Sequence, residues 1–218
     1  RSSLNALIRY RHTATGGAGP LVFPPDPPTR VRVSLEPGGR AARAQWAPPP
    51  RESALGDPPE GYVIYRSVNG RGFGAPIRAQ GGDTTEARIE GLTPGKTLFL
   101  QIAAWNAGGE SLPSDVLAVR SSPAGLSAAT GGGDGAPGIL LVQGFDRLDP
   151  GLSPRQRVAE NLGGTKSPGG VIERINIRRM NALDSLVPHA LALEFAGASF
   201  ESCSNEAVAM GDVLLAGR

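Results

Sequence analysis

The fold is decided by one stretch of the chain, Gly91-Leu92-Thr93-Pro94-Gly95-Lys96-Thr97 running into Leu98-Phe99-Leu100-Gln101-Ile102-Ala103-Ala104-Trp105-Asn106. A turn with adjacent proline and glycine leads into a segment whose apolar residues recur at every second position: Leu98, Leu100, Ile102 and Ala104. A period of two between turn residues predicts a half-buried antiparallel strand. Asn106 and the glycines after it end this strand.

Short segments of the same kind lie on both sides of this strand. They fall at residues 31–33, 42–46, 61–66, 84–89 and 116–119, with Asn-Gly, Pro-Gly or proline-rich turns between them. These and the first strand are six of the seven short strands that the sequence predicts over residues 24–123. This number and spacing of strands is typical of an all-β, immunoglobulin-like sandwich.

Composition agrees with a chain of many short strands. The 218 residues leave room for about two domains. The 31 glycines and 20 prolines are about twice the usual share, which favours tight turns and linkers. The net charge of +2 comes from scattered arginines rather than a basic patch, which argues against a nucleic-acid partner.

Several classes of site and location are disfavoured by what the sequence contains. Cys203 is the single cysteine, so no intrachain disulfide forms, and two histidines make a zinc site implausible. We therefore expect no metal and no cofactor. No apolar run approaches 18 residues, so no membrane span is expected. The chain begins at Arg1 and shows no signal peptide, and we expect it to be a piece of a longer protein.

The predicted sandwich resembles a fibronectin type III domain over about 95 residues. The matching positions are Pro28, Val31, Val33, Trp46, Tyr62-x-Ile64-Tyr65-Arg66, Leu92-Thr93-Pro94-Gly95 and Asn106-x-Gly108-Gly109-Glu110-Ser111. The family usually has tyrosine three residues after the turn glycine, whereas this chain has Leu98. The resemblance therefore implies a corner without its hydroxyl anchor, with some loss of stability but not of fold.

The segments flanking the sandwich are predicted to be a short helix and linkers. Leu4, Leu7 and Ile8 share one helical face, so residues 1–23 read as the last helix of an upstream domain plus a linker, or equally as a disordered tail. Residues 124–137 contain Gly131-Gly132-Gly133-Asp134-Gly135, which indicates a flexible linker.

Residues 138–218 have a different pattern. The apolar run at 139–142 is typical of a strand buried on both faces. A helix is predicted to begin with Asp184 or Ser185 as its cap, to hold Pro188 in its first turn and to end at Gly197. A strand is predicted at 198–202. Strand, helix and strand predict the first unit of a parallel, flavodoxin- or Rossmann-like α/β domain that is truncated at Arg218.

This last region resembles part of large secreted bacterial proteins that are amidase-like or xanthan-lyase-like. The resemblance rests on Gly144-Phe145-Asp146-Arg147-x-Asp149, Arg179-Met180-Asn181 and Ser204-Asn205-Glu206-Ala207-Val208. It implies an extracellular or cell-envelope location, with peptidoglycan, a polysaccharide or other domains of the same chain as partners. It also implies that the helix before residue 23 ends an amidase domain.

Candidate catalytic residues lie where the predicted parallel strands end. Asp146 follows the first strand, and Ser202, Cys203, Asn205 and Glu206 follow the second, so they converge if the sheet is parallel. Asp146 and Glu206 form a possible acid–base or metal pair, although an aspartate after a strand more often caps a turn. Cys203 with His189 form a possible thiol nucleophile and base, although a lone cysteine is more often buried structure.

One candidate binding residue lies on the sandwich. Trp105 alternates with the core positions, so it is predicted to point outward. There an indole can stack on a sugar ring or anchor a partner, or else pack against a neighbouring domain or an adjacent strand. Together, the two resemblances imply a non-catalytic spacer or binding module of a modular secreted bacterial protein. The alternative is an accessory region of a cell-wall amidase or polysaccharide-degrading enzyme, and whether the parent is an enzyme stays open.

Overall fold

The computed structural model describes residues 21–51, 56–123, 138–144 and 184–213, together with the backbone of four strands between residues 155 and 173. The predicted helix before residue 23, the linker at 124–137 and Asp146 lie outside the described residues.

The described residues form fourteen strands and two helices. In chain order they are β1 (Thr29–Leu35), β2 (Ala41–Ala47), β3 (Gly61–Ser67), β4 (Ile77–Gln80), β5 (Glu86–Glu90), β6 (Thr97–Asn106), β7 (Gly109–Glu110), β8 (Leu117–Arg120), β9 (Leu140–Gln143), β10 (Arg155–Val158), β11 (Asn161–Leu162), β12 (Thr165–Lys166), β13 (Gly170–Glu173), α1 (Val187–Phe195), β14 (Glu201–Ser204) and α2 (Asn205–Ala209).

Two sheets build the sandwich. The first has the strand order β5–β2–β1–β14–β9, and the second has the order β4–β3–β6–β7, with β8 also paired to β6. Neighbouring strands are antiparallel except β14 and β9, which are parallel. The all-β, immunoglobulin-like sandwich predicted for residues 24–123 is therefore present.

The core lies between the sheets and follows the predicted period of two. Val31 and Val33 of β1 alternate with arginines, and Trp46 packs on Tyr62 with ring centroids 5.0 Å apart. In β6 the core side chains are Leu100, Ile102 and Ala104. Each is at most 2% exposed, so apolar burial along the strand fixes its register.

Strand β6 differs from the prediction of a half-buried strand because its other face is also covered near its start. Phe99 is fully buried there. Helix α1 packs against β6 and β8, and its residues Val187 and Ala190 join the same core cluster. Gly70 permits this approach, since a Cβ at that position would lie 2.5 Å from Val187 Cγ2.

The segment predicted to start an α/β domain forms its strand, helix and strand, but in a different context. β9 and β14 are parallel, as predicted, with Glu201 opposite Leu140. β14 also pairs antiparallel with β1, placing Cys203 opposite Arg32. These strands therefore extend the first sheet of the sandwich, and a separate α/β domain is not shown.

The details of this segment correct two predictions and confirm a third. Helix α1 has Leu186 at its N-cap position and no side-chain cap, because the Ser185 hydroxyl instead donates to Gln143 Oε1 at 2.8 Å. Pro188 does lie in the first turn, and Gly197 follows the helix with φ of +77°, as predicted. β14 runs to Ser204, so Ser202 and Cys203 lie inside the strand rather than after it.

The chain divides into two compact units, residues 1–144 with 184–218 and Phe145–Leu183. In the second unit, β10 pairs antiparallel with β13, and β11 pairs antiparallel with β12.

The predicted weak corner before β6 has an anchor that replaces the missing tyrosine hydroxyl. Leu98 is half-buried against the core. Arg120 of β8 donates from Nε to the Gly95 carbonyl at 3.1 Å, and the Gly95 N–H donates to the Ser121 carbonyl at 3.1 Å. Two contacts from the neighbouring strand thus hold the turn.

Neither α1 nor α2 is long and apolar enough to span a lipid bilayer, and no other helix is described.

Candidate functional site

The edge where the parallel strands end was the predicted site, and the structure places Gln143 and Ser204 there, opposite one another. Gln143 is 3% exposed and bonds Ser185 at the start of the helical segment. The pair joins the end of β9 to the residues that enter α1. Its hydrogen bonds close a structural junction, and Asp146, the predicted carboxylate of this edge, lies outside the described residues.

Cys203 and His189 lie in different environments. Cys203 is fully buried in the first sheet, on the face that α2 packs against. His189 is exposed on α1, which packs on strands of the second sheet. A thiol with no exposed surface cannot meet a dissolved substrate, so this arrangement offers no accessible nucleophile.

Glu206 is exposed in the first turn of α2. A carboxylate in that position interacts favourably with the N-terminal end of a helix. Its own backbone N–H donates to Asn205 Oδ1 at 2.9 Å. The contacts of Glu206 are therefore those of a helix start.

Trp105 is half-buried on the outer face of the second sheet. Gly61 lies directly opposite on β3, and a Cβ there would be 2.8 Å from the indole nitrogen. The guanidinium carbon of Arg78 lies 5.6 Å from the ring centroid. Among the described residues the buried indole nitrogen has no hydrogen-bond partner. These contacts show packing on the neighbouring strand, which is one of the roles predicted for Trp105.

A second site, which sequence reasoning missed, is the seam between the sandwich and residues 184–213. Phe200 and Arg120 exchange two backbone hydrogen bonds of 3.0 Å, which join the two sheets along β8. The Ser202 hydroxyl accepts the Ala118 N–H at 2.8 Å and donates to the Ala118 carbonyl at 2.6 Å. The edge of β8 is thus satisfied by a side chain from the other sheet.

Arg120 ties three parts of the chain together in this seam. It is 3% exposed, and besides Gly95 its guanidinium donates from Nη1 to the Ala198 carbonyl. A guanidinium presents its donors in a fixed fork, so one side chain can reach carbonyls of two separate segments. No local pattern indicates this role, because both partners are distant along the chain.

The outer face of the first sheet carries a series of paired charges. Glu36 accepts from Arg88 Nε at 2.7 Å and lies 3.6 Å from Arg43, and the hydrogen bond from Arg88 lowers the pKa of the Glu36 carboxyl. Further along this face, the Asp212 carboxylate accepts hydrogen bonds from Nε and Nη2 of Arg30, at 2.7 and 2.8 Å. This alternation of sign makes the face nearly neutral.

Two adjoining cavities of about 350 and 340 Å³ open on the same face. They share Arg32, Gln45 and Asp212. Arg32 Nε donates to Gln45 Oε1 at 2.9 Å, and Arg32 Nη1 donates to the Asp212 carbonyl at 3.2 Å. The polar groups between the cavities therefore bind one another.

The family model described as "Fibronectin type III domain" matches residues 26–120. The comparison with curated proteins found no match to this chain.

Among solved structures, the chain is similar to the third fibronectin III domain of the human KIAA0343 protein, with 25% identity, coverage of 53% of this chain and 95% of that chain, and a TM-score of 0.41. An Fn3-like protein from Clostridium thermocellum has 22% identity, coverage of 43% and 90%, and a TM-score of 0.36. The FN5 domain of Drosophila Lar has 25% identity, coverage of 46% and 99%, and a TM-score of 0.35.

The seven-strand pattern, the two packed sheets and the matched family model agree. Residues 26–120 of this chain are a fibronectin type III domain.

Proposed function

We propose that the described part of the chain is a non-catalytic spacer in a modular secreted bacterial protein. The observation that carries this proposal is the seam, where Arg120, Ser202 and Phe200 bind residues 184–213 to the sandwich. A long-range contact of this kind fixes a following segment against the domain and so limits motion between them. Fibronectin type III domains are typically non-catalytic, which agrees with this role.

The side chains that sequence analysis selected for chemistry also favour a spacer. Cys203 is inaccessible, whereas His189 and Glu206 are exposed on different helices. Catalysis by general acids, bases or nucleophiles needs such groups within hydrogen-bond reach of one another and of a substrate. The polar groups that do converge serve the seam.

A binding role through Trp105 is the second proposal. Its indole lies beside Arg78 on an outer sheet face, and aromatic rings of that kind can stack on sugars. Peptidoglycan or another polysaccharide is the proposed ligand, and the extracellular or cell-envelope location rests on the same resemblance of the sequence. An accessory role in a cell-wall amidase or polysaccharide-degrading enzyme is the alternative that this resemblance supports.

Sedimentation with purified peptidoglycan, together with turbidity measurement, tests these proposals. A spacer neither co-sediments with the polymer nor clears it. If Trp105 binds sugar, the chain co-sediments, Trp105→Ala abolishes binding, and Arg78→Ala strengthens it because the ring face is uncovered. Clearing of the suspension by the purified chain would overturn the non-catalytic proposal.

A further inference from the structure

One turn of the second sheet contains a dipeptide that can modify itself. Asn69-Gly70 lies between β3 and β4 and is the single Asn-Gly pair of the sequence. In such a pair the backbone nitrogen of glycine can attack the side-chain carbonyl carbon of asparagine, because glycine has no Cβ to obstruct the approach. Asn69 is exposed and Gly70 is buried, so the turn presents the amide to water and covers the nitrogen.

The reaction needs only water and hydroxide. The Gly70 nitrogen gives its proton to hydroxide and forms a bond to Asn69 Cγ. The bond from Cγ to the side-chain nitrogen then breaks, and that nitrogen takes a proton from water and leaves as ammonia. Water opens the resulting cyclic imide at either carbonyl. One opening gives aspartate, and the other gives isoaspartate, in which the main chain passes through the former side chain and is longer by a methylene.

The attacking nitrogen is held by Ser67, the last residue of β3. The Gly70 N–H donates to Ser67 Oγ at 2.9 Å, and this hydrogen bond is buried. The same hydroxyl donates to Asn69 Oδ1 at 2.9 Å. Ser67 is only 5% exposed, so the Gly70 N–H is shielded from hydroxide while this bond persists.

The amide that would be attacked is held as well. Besides the Ser67 hydroxyl, Asn69 Oδ1 accepts the backbone N–H groups of Arg71 and Gly72, at 3.0 and 2.9 Å. Turning the side chain towards the Gly70 nitrogen breaks these hydrogen bonds. Each one lowers the population of the reactive arrangement roughly two- to tenfold.

Packing restricts the backbone at the same point. Gly70 has φ of +71°, and a Cβ there would lie 2.5 Å from Cγ2 of Val187 in α1. Closing the imide ring imposes its own backbone angle between Asn69 and Gly70. Gly70 would therefore have to shift within a space that Val187 already fills.

We propose that Asn69 is a site of spontaneous deamidation that the native turn suppresses, so that the reaction proceeds only when the turn opens. A site of this kind reacts at a rate proportional to the fraction of time for which the turn is open. The extent of modification at Asn69 therefore reports how often this turn has opened during the life of the chain.

The two products affect the turn differently. Aspartate keeps the backbone and offers a charged acceptor to the three donors that Asn69 Oδ1 receives, and such hydrogen bonds are stronger than neutral ones. Isoaspartate places an extra methylene in the main chain beside Gly70, where contact with Val187 leaves no room. The variant Asn69→Asp should therefore fold like wild type, whereas the isoaspartate product should be less stable.

Peptide mapping by mass spectrometry measures the reaction in the full chain. The chain is incubated at mildly alkaline pH and digested in mild acid, which stops the reaction. The change from amide to acid at Asn69 is then followed with time, and chromatography separates the aspartate and isoaspartate forms. A synthetic peptide of residues 66–74 gives the rate without the fold. We expect the full chain to react at least about tenfold more slowly, because several hydrogen bonds must break together.

Ser67→Ala removes the hydroxyl that binds both reacting groups. Each rate is divided by that of the 66–74 peptide with the same sequence, and this normalised rate should rise roughly fivefold or more in the variant. The matched control is Ser111→Ala, whose hydroxyl also accepts a backbone N–H, that of Ala104, but further along β6. Its normalised rate should equal that of wild type. If Ser67→Ala does not fold, the wild-type chain in increasing urea should approach the rate of the peptide.

Three results would overturn the proposal. The first is a full chain that reacts as fast as the peptide or faster, which would mean that the turn does not suppress the reaction. The second is an equal normalised rate in Ser67→Ala and Ser111→Ala, which would mean that the Ser67 hydroxyl does not keep the turn closed. The third is a wild-type rate that does not respond to urea.

Discussion

Gly70 shows how a single residue sets the contact between helix and sandwich. Its φ is +71°, and an added Cβ would lie 2.5 Å from Val187 Cγ2 and 3.1 Å from Phe99 Cδ1. The position therefore needs glycine for two reasons, the backbone conformation and the space beneath α1. Each reason can be measured separately, because Gly91 has a similar φ of +78° and open space around it.

We predict that Gly70→Ala lowers the free energy of unfolding by about 2–4 kcal/mol, from left-handed backbone strain plus overpacking. Gly91→Ala should cost only the backbone part, about 1–2 kcal/mol. Urea denaturation of the two variants measures the difference. Equal costs would mean that α1 yields without penalty.

Tyr62 gives the sandwich a dependence on alkaline pH. Its hydroxyl donates to the Gly82 carbonyl at 2.8 Å, and burial raises the pKa of the phenol from 10.0 to about 12. A raised pKa means that this contribution is fully present below the unfolded value and is lost as the pH rises towards the folded value. We predict that the unfolding free energy falls between pH 10 and about 12, and falls less in Tyr62→Phe. Parallel pH profiles of the two proteins would contradict this.

Strand β8 is the element on which the seam depends. Its last residue, Arg120, binds carbonyls on either side, at Gly95 and Ala198. A lysine ammonium is compact and cannot present the same fork. We predict that Arg120→Lys lowers the unfolding free energy by about 2–4 kcal/mol, since at least one buried carbonyl loses its donor.

The control for this substitution is Arg66→Lys, at an exposed position of β3, which should change stability by less than about 0.5 kcal/mol. Denaturation in urea measures both variants, and thiol labelling of Cys203 adds a local reading. If Arg120→Lys labelled no faster than wild type, Arg120 would matter for the corner at Gly95 but not for the seam.

The elements that the sequence predicts well are those whose pattern depends only on residues close together in the chain. The alternation in β1, β2 and β6 and the turn at Gly95 depend only on nearby residues, so the sandwich followed from the sequence. The helix at 187–195 and the parallel pair β9–β14 also followed from local pattern. The cap of α1 did not, because Ser185 bonds Gln143, which is 42 residues away.

The candidate site was harder to predict than the fold. Cys203 and Glu206 were chosen for their chemistry, yet their positions depend on where β14 pairs. Nothing near β14 indicates that its partner is β1, about 170 residues earlier. Glu201 and Ser202 carry the seam for the same reason. Their roles depend on contacts with Leu35 and Ala118 that no local period encodes.

At the scale of the whole molecule, residues 145–183 form a compact unit separate from the one that contains the sandwich. The chain leaves at Gly144 and returns at Asp184, and the side chains of Gln143 and Ser185 are hydrogen-bonded at 2.8 Å. We predict that a short Gly-Ser linker in place of residues 145–183 leaves the unfolding free energy within about 1 kcal/mol, since loop-closure entropy depends weakly on length.

The matched comparison is removal of residues 184–218, which takes away α1, β14, α2 and the core residues Val187 and Phe200. That chain should be clearly less stable and should self-associate, because the β1 edge and Phe99 become exposed. Denaturation and sedimentation velocity measure both effects. A large loss on linker replacement would show that residues 145–183 contribute to the fold of the first unit.

The position of β14 between β1 and β9 also has a consequence for folding during translation. The fibronectin type III domain is complete on the ribosome at residue 120, whereas the strand that covers β1 is made only at residues 201–204. At roughly 5–20 residues per second, about 80 further residues take some 4–16 s. During that interval the edge of β1 in the nascent chain is unpaired. Strand β9 is also translated before β14, its partner in the sheet. Among the described strands, the one translated last therefore lies inside the first sheet, between β1 and β9.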